Sequence, residues 1–208
     1  MNTRSYRSPI RQDAMAETVR RIVAATVGLH AEKGAMATTH AEIAARAGVS
    51  VPTVYKHFPT RAARLPACVG EVARTAPPVD HAAILAEPDL DRRFRLLVDA
   101  IYRRHAYYAP WMRWVAIDAP NLPPLAAAAA EDEQWLLDLI RGVLAPAFDG
   151  KVPRPPLAVV RLLLGFSGWQ ELTRTLGDVE AVNRTATGAL CVLFSQVGKQ
   201  RNPGHDPE

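Results

Sequence analysis

Cysteine is nearly absent from this 208-residue chain; Cys68 and Cys191 are the only two, and they lie far apart. Two isolated thiols exclude a disulfide framework, and no Cys/His spacing supplies the paired ligands of a zinc site. Each thiol reads as a small buried apolar residue. No apolar run approaches the roughly 20 residues that span a bilayer. Met1 to Arg11 is polar and arginine-bearing, with no apolar stretch behind it, so it does not read as a secretory leader. These absences lead to the expectation of a cytoplasmic protein with no membrane partner. Strand-like alternation is also missing, and the apolar spacing is helical nearly throughout, so the expected fold class is all-α. There is no Gly-rich phosphate loop, no HExxH and no nucleophile elbow, and therefore no catalytic site, metal or cofactor is expected.

What the chain does have is an ordinary globular balance, 49% hydrophobic and 22% charged, with its charge unevenly placed. Residues 1–75 hold 11 Lys/Arg against 5 Asp/Glu, a net of +6, whereas residues 76–208 hold 14 against 16, a net of −2. A basic first third on a mildly acidic body is the asymmetry of a chain whose one end meets a polyanion.

The periodicity predicts about nine helices in two domains. Residues 1–12 form a basic arm carrying Arg4, Arg7 and Arg11, suited to phosphate or minor-groove contact or simply to solubility. A helix over 13–33 is expected to bury one face (Met15, Val19, Ile22, Val23, Thr26, Val27, His30) and to be capped by Gly34. Two short helices follow, then a fourth capped by Thr60, which Pro66 should kink or delay. This first domain covers 13–75. Pro77, Pro78 and Pro88 mark the boundary, and a second domain over 76–200 carries helices at 89–109, 111–119, 125–148, 157–176 and 179–199. Residues 201–208 read as a disordered tail.

The segment Thr39 to Phe58 is the most specific. Thr39 with Glu42 three residues on makes a capping box. Ile43, Ala44 and Ala47 give a small apolar face, Gly48 the sharp turn, and Val49 the filling between two helices. Ser50 caps the second helix, where Pro52 is tolerated in the first turn, and Val54 and Phe58 point inward. Val51, Pro52, Thr53, Lys56 and His57 then face outward. This is a helix-turn-helix, which places its second helix in the DNA major groove. Val51 and Thr53 suit thymine methyls, and Lys56 suits a phosphate.

These residues resemble the TetR family of bacterial transcriptional regulators. The match runs from Ile22 to Val69: Ala31-Glu32-Lys33-Gly34, Thr38-Thr39, Ile43-Ala44, Ala47-Gly48-Val49-Ser50, Thr53-Val54-Tyr55-Lys56-His57-Phe58, then Arg61 and Leu65. The resemblance implies phosphate contacts from Thr39, Tyr55, His57 and Arg61, and groove contacts from Ser50, Val51, Pro52, Thr53 and Lys56. It departs at His30 and Ala35, where the family has aromatics, and at Pro66 in the helix that links reader to body.

All four tryptophans lie in the last two-thirds of the chain. Each aromatic there reads first as core, but packed helices would converge them on one interior. By position, the resemblance implies a pocket for an apolar or aromatic effector. Tyr102, His105, Tyr108, Trp111, Trp114, Trp135, Phe166 and Trp169 are the candidates, with Arg103, Arg104 and Arg113 available to an anionic effector. The last two helices carry apolar stripes, Leu162, Leu163, Phe166 and Trp169 on one and Val182, Ala186, Ala189, Leu190, Val192, Leu193 and Val197 on the other. Gly165, Gly168 and Gly188 allow close approach. The resemblance implies that they build a homodimer. The expected function is a homodimeric repressor that binds a near-palindromic double-stranded operator and is released by a small molecule. An enzyme or carrier with a vestigial helix-turn-helix, which could draw only on His81 and His105, stands as the alternative. A third reading is a nucleoid-type binder without an effector.

Overall fold

The computed structural model describes the backbone of residues 9–200 and the side chains of residues 11–195. Among these residues there is no strand, and ten α-helices form rather than nine. They are α1 (Pro9–Ala37), α2 (His40–Ala47), α3 (Val51–His57), α4 (Arg61–Arg74), α5 (His81–Ala86), α6 (Leu90–Asp118), α7 (Pro123–Leu144), α8 (Arg154–Leu164), α9 (Phe166–Leu176) and α10 (Val179–Gln200). Short 3₁₀ turns at Ala119–Asn121 and Ala145–Phe148 follow α6 and α7.

The chain divides into two compact units. The first runs to Ala76 and also takes in Ala109–Ala130, which sequence reading groups with the second domain. The second comprises Pro77–Tyr108 and the chain from Glu131 onward. Two helices therefore belong to both units: α6 changes unit at 108/109 and α7 at 130/131.

The first unit closes around Ile22, Leu29, Ile43, Ala44, Ala47, Val54 and Phe58, all buried, drawn from α1, α2, α3 and the residue after it. A smaller cluster of Ala35, Leu65 and Leu122, with Met36 and Leu125 against it, joins the end of α1 to α4 and the start of α7. The second unit has the larger interior. Phe94, Leu97, Val98, Ile101 and Tyr102 of α6 meet Ile140, Val143 and Leu144 of α7, Val160 and Leu164 of α8, and Val182, Ala186, Leu190 and Phe194 of α10. Each fully buried Leu, Ile or Phe contributes about 1.5–3 kcal/mol. That outweighs any single cap at about 1 kcal/mol, so this interior holds the unit together.

Several boundaries differ from the expected ones for local reasons. α1 begins at Pro9, not near 13, because proline suits the first turn of a helix, where its missing amide has no acceptor to lose. Arg11 therefore lies on α1 and is exposed. Met15, expected on the buried face, is exposed as well, because the first turns of α1 precede the core residues that begin at Ile22. Arg4 and Arg7 lie outside the described residues. Gly34 does interrupt α1, at φ 84° and ψ 169°, after which the chain resumes a helical turn to Ala37. Pro66 and Pro110 lie inside helices that continue past them. α4 starts on its Thr60 cap without delay, and α6 runs on where a break at 110 was expected. The expected helix 157–176 is two helices, broken at Gly165. α5 forms in the proline-marked loop, capped by Asp80. The tail residues 201–208 lie outside the described residues.

Candidate nucleic-acid interface

The reader is built from caps inward. Thr39 Oγ1 accepts from the Glu42 amide at 3.3 Å while the Glu42 carboxylate takes the Thr39 amide at 3.0 Å, the capping box that the sequence predicts. Gly48 turns the chain at φ 63°, ψ 42°, the left-handed conformation that a Cβ disfavours. Ser50 caps α3 by accepting from the Thr53 amide at 3.3 Å, and Pro52 occupies its first turn. Val54 and Phe58 are buried as expected, which fixes the opposite face of α3 outward. On that face Pro52, Tyr55 and Lys56 are exposed, Val51, Thr53 and His57 are half-buried, and Arg61 is exposed at the first turn of α4.

The cations around this surface fall into two groups. Lys33 pairs with Glu42, and Arg46 holds Glu32 through two bonds of 2.7 and 2.9 Å. The Lys33 ammonium, with Thr39 next, pulls the Glu42 carboxyl down to about 2, and Arg46 lowers that of Glu32. Lys56 and Arg61 have no carboxylate within ion-pair distance among the described residues. The charge left for a polyanion thus includes Lys56 on α3 and Arg61 at the start of α4, together with the exposed Arg11 and Arg21 of α1.

Hydroxyl accounting refines two expected contacts. Thr39 donates its proton to Glu42 Oε2 at 2.7 Å, so in this conformation it has none to give a phosphate. Ser50 and Thr53 share one bond of 2.8 Å, which leaves one hydroxyl proton between them. Sequence reading missed His40. Its ring stacks on Tyr55 at 4.1 Å and 7°, and its Nε2 donates to the Phe58 carbonyl at 2.9 Å. The stack fixes the plane of a tyrosine that is 52% exposed. Residues on separate helices gave no sequence signal for it.

Behind the reader lies a second unexpected residue, Arg64 of α4, only 1% exposed. Its Nη2 donates to the Thr38 carbonyl at 2.9 Å, while Nε and Nη1 have no partner. Burial lowers its pKa and raises that of the neighbouring Cys68 thiol to about 12. His30 fills its expected core place with Nε2 unpaired, and burial, with Arg64 second, lowers its pKa to about 4.

The eight effector candidates divide between the two units. Trp111 and Trp114 belong to the first unit, where their indole N–H groups donate to the carbonyls of Val27 (3.0 Å) and Ala31 (3.1 Å) on α1. The other six lie in the second unit. There, Tyr102 Oη donates to the Leu163 carbonyl and His105 Nε2 to the Leu164 carbonyl, each at 2.8 Å. Those carbonyls are the orphan acceptors of the α8 C-terminus, so these polar tips act as caps. His105 packs edge-on against Phe166 (5.6 Å) and beside Trp169 (5.9 Å). Tyr108 and Trp135 flank the Arg104 guanidinium at 4.7 Å each, and Arg104 also pairs with Asp132 at 2.7 Å. Arg103 pairs with Asp99 at 3.0 Å, and Arg113 lies over Trp114. Among the described residues no group of His, Cys, Asp or Glu is arranged to hold a metal ion.

Residues 22–67 match the family model described as bacterial regulatory proteins, tetR family. No curated protein matches the chain. Among solved structures, a protein from Mesorhizobium loti assigned to the TetR family of transcriptional regulators is 19% identical. It covers 86% of this chain and 97% of its own, with a TM-score of 0.63. A transcriptional regulator from Rhodococcus sp. Rha1 is 18% identical over 88% and 96%, with a TM-score of 0.61. The transcriptional regulator FadR from Bacillus subtilis, in complex with stearoyl-CoA, is 17% identical over 82% and 96%, with a TM-score of 0.53. At such identities the likeness is one of fold. The family match falls on the same helices whose caps, turn and outward cations were built above. Residues 22–67 of this chain are thus similar to the N-terminal domain of the bacterial regulatory proteins of the tetR family.

Proposed function

We propose that the protein is a homodimeric repressor that holds a near-palindromic operator and lets go when a small molecule enters its second unit. The observation that carries the DNA half is the pairing of charge. Lys33 and Arg46 are neutralised by Glu42 and Glu32, while Lys56 and Arg61, beside the oriented Tyr55 ring, are left for phosphates. Ser50, Val51, Pro52 and Thr53 would meet base edges or the adjoining backbone, with His57 and Thr39 at the margin. Two copies related by a two-fold axis would present two α3 helices about 34–36 Å apart, one DNA turn.

For the effector we favour the aromatic residues of the second unit, above all Tyr108, Trp135, Phe166 and Trp169, with Tyr102 and His105 behind them. They offer ring faces for an apolar or aromatic molecule, and Arg104 offers a cation for an acidic substituent. The stearoyl-CoA held by FadR is consistent with an organic effector in a protein of like fold. Release requires that the effector favour a dimer unable to bind DNA, and linkage then makes DNA weaken effector affinity by the same factor.

The test is a DNA fragment selected by the wild type from a random library, titrated over a range of salt. Lys56→Ala should weaken binding and reduce the salt slope by about 1, and Tyr55→Phe should weaken it with the fold intact. Unchanged affinity in both variants would remove α3 as the reader.

A further inference from the structure

The break in α1 at Gly34 exposes one backbone donor and one backbone acceptor, and both are taken up by side chains from the end of α6. In an unbroken helix the Ala35 amide would donate to the Ala31 carbonyl. Here Gly34, at φ 84°, turns the chain out of that register. The Ala35 amide instead donates to Asp118 Oδ2 at 2.6 Å, and the Met36 amide approaches the same oxygen at 3.4 Å. The Ala31 carbonyl accepts from Trp114 Nε1 at 3.1 Å and from Arg113 Nη2 at 2.7 Å. Trp111 Nε1 reaches the Val27 carbonyl one turn earlier, at 3.0 Å.

The fit around the break is tight. Asp118 is 3% exposed, and no cation pairs with it among the described residues. A Cβ on Gly34 would stand 2.6 Å from Asp118 Oδ2 and 3.3 Å from the Trp114 ring, so glycine is needed for the approach as well as for the dihedral. Downstream, Thr38 Oγ1 closes the turn onto the Gly34 carbonyl at 2.7 Å, and Arg64 Nη2 holds the Thr38 carbonyl. Thr39, next in sequence, caps α2. The five residues that aim the helix-turn-helix are thus gripped by Asp118 at their start and by Arg64 at their end.

We infer that Asp118 is a positioning residue for DNA reading. Its carboxylate substitutes for the missing helical hydrogen bond of α1 and sets the angle at which the chain enters α2. The inference rests on the DNA-reading function proposed above.

Two measurements on the full-length protein test it. Asp118→Asn keeps the size of the side chain but replaces the charged oxygen that both amides share with a weaker, neutral acceptor. Amide hydrogen exchange at Ala35 and Met36 should accelerate at least tenfold, while exchange at Ile43 and Val54 stays within about twofold. Affinity for the library-selected DNA fragment should fall about tenfold with the salt slope unchanged, the opposite signature to Lys56→Ala, because no phosphate contact is lost. If Asp118→Asn does not fold, Trp114→Phe, which removes only a donor to the Ala31 carbonyl, carries the same expectations at smaller size. Unaltered exchange at residues 35–36 overturns the lock. Faster exchange with unaltered DNA affinity overturns the positioning role and leaves Asp118 a local structural group. A wild type that selects no DNA overturns the DNA-reading function itself, and the exchange result separates that failure from failure of the lock.

Discussion

His30 illustrates how one side chain can satisfy packing while leaving electrostatics open. Its ring is 7% exposed, and its pKa is lowered to about 4, chiefly by burial. Above pH 6.5 the imidazole is neutral in both native and unfolded chains and costs nothing. As pH falls from 6.5 toward 4, the unfolded chain takes a proton that the native chain refuses. Stability therefore drops across that window by up to about 1.4 kcal/mol per pH unit. Between pH 7 and pH 5, urea unfolding of wild type should lose about 2 kcal/mol more than that of His30→Phe. Equal losses would show that His30 titrates freely in the native state. The helical spacing of residues 19–30 is enough to place His30 inward. Arg64 was not legible in the same way, because its burial depends on α1 and α4 meeting around it, and nothing in its local sequence marks a guanidinium as 1% exposed.

At the scale of elements, the junction of α8 and α9 shows glycine serving an elbow inside one chain. Gly165 is at φ −71°, ψ 157°, extended backbone that ends one helix and begins the next. The freed carbonyls of Leu163 and Leu164 are taken by Tyr102 and His105, and the Leu162 carbonyl faces Gly168 so closely that a Cβ there would stand 2.2 Å away. Gly168→Ala should therefore force the elbow open and cost about 1–3 kcal/mol, as overpacking does. Gly70→Ala, in α4 with nothing within 4 Å, should instead raise stability by up to about 1 kcal/mol. Thermal unfolding of the two variants checks the contrast, and equal shifts would refute it. From sequence, Gly165 and Gly168 read as aids to helix approach, Pro66 as a kink or late start of its helix, and Pro110 as a break between two helices. These readings weigh a residue against its neighbours in sequence. A proline inside a helix costs about 3 kcal/mol, which buried flanking residues such as Leu65 and Cys68 offset only once the tertiary structure is formed.

For the whole molecule, the last helices divide their apolar residues between the interior and the surface. On α10, Val182, Ala186, Leu190 and Phe194 are buried in the second unit's own core. Ala189 is exposed and Val192 is 70% exposed, as are Leu162 (70%) and Val159 (41%) on α8. The side chain of Val197 lies outside the described residues. Isolated exposed apolar residues are ordinary, but several on α8 and α10 support the proposed interface with a second copy. Leu162→Arg with Val192→Glu should convert a dimer to monomer in sedimentation and weaken DNA binding at least tenfold, while the far-ultraviolet dichroism stays helical. A double variant that remains dimeric would move the interface elsewhere.

The sequence alone determined the helical class, the reader and most of its caps. These depend on short-range physics: a 3.6-residue period, a hydroxyl three residues before an amide, a glycine where φ must be positive. Only the tertiary structure decided which cations are free, which aromatics are caps and where the chain divides into units. Those outcomes join partners far apart in sequence, such as Asp118 and the Ala35 amide 83 residues away. A donor's partner is settled by competition among all acceptors that the fold brings near, and the order of residues does not carry that competition.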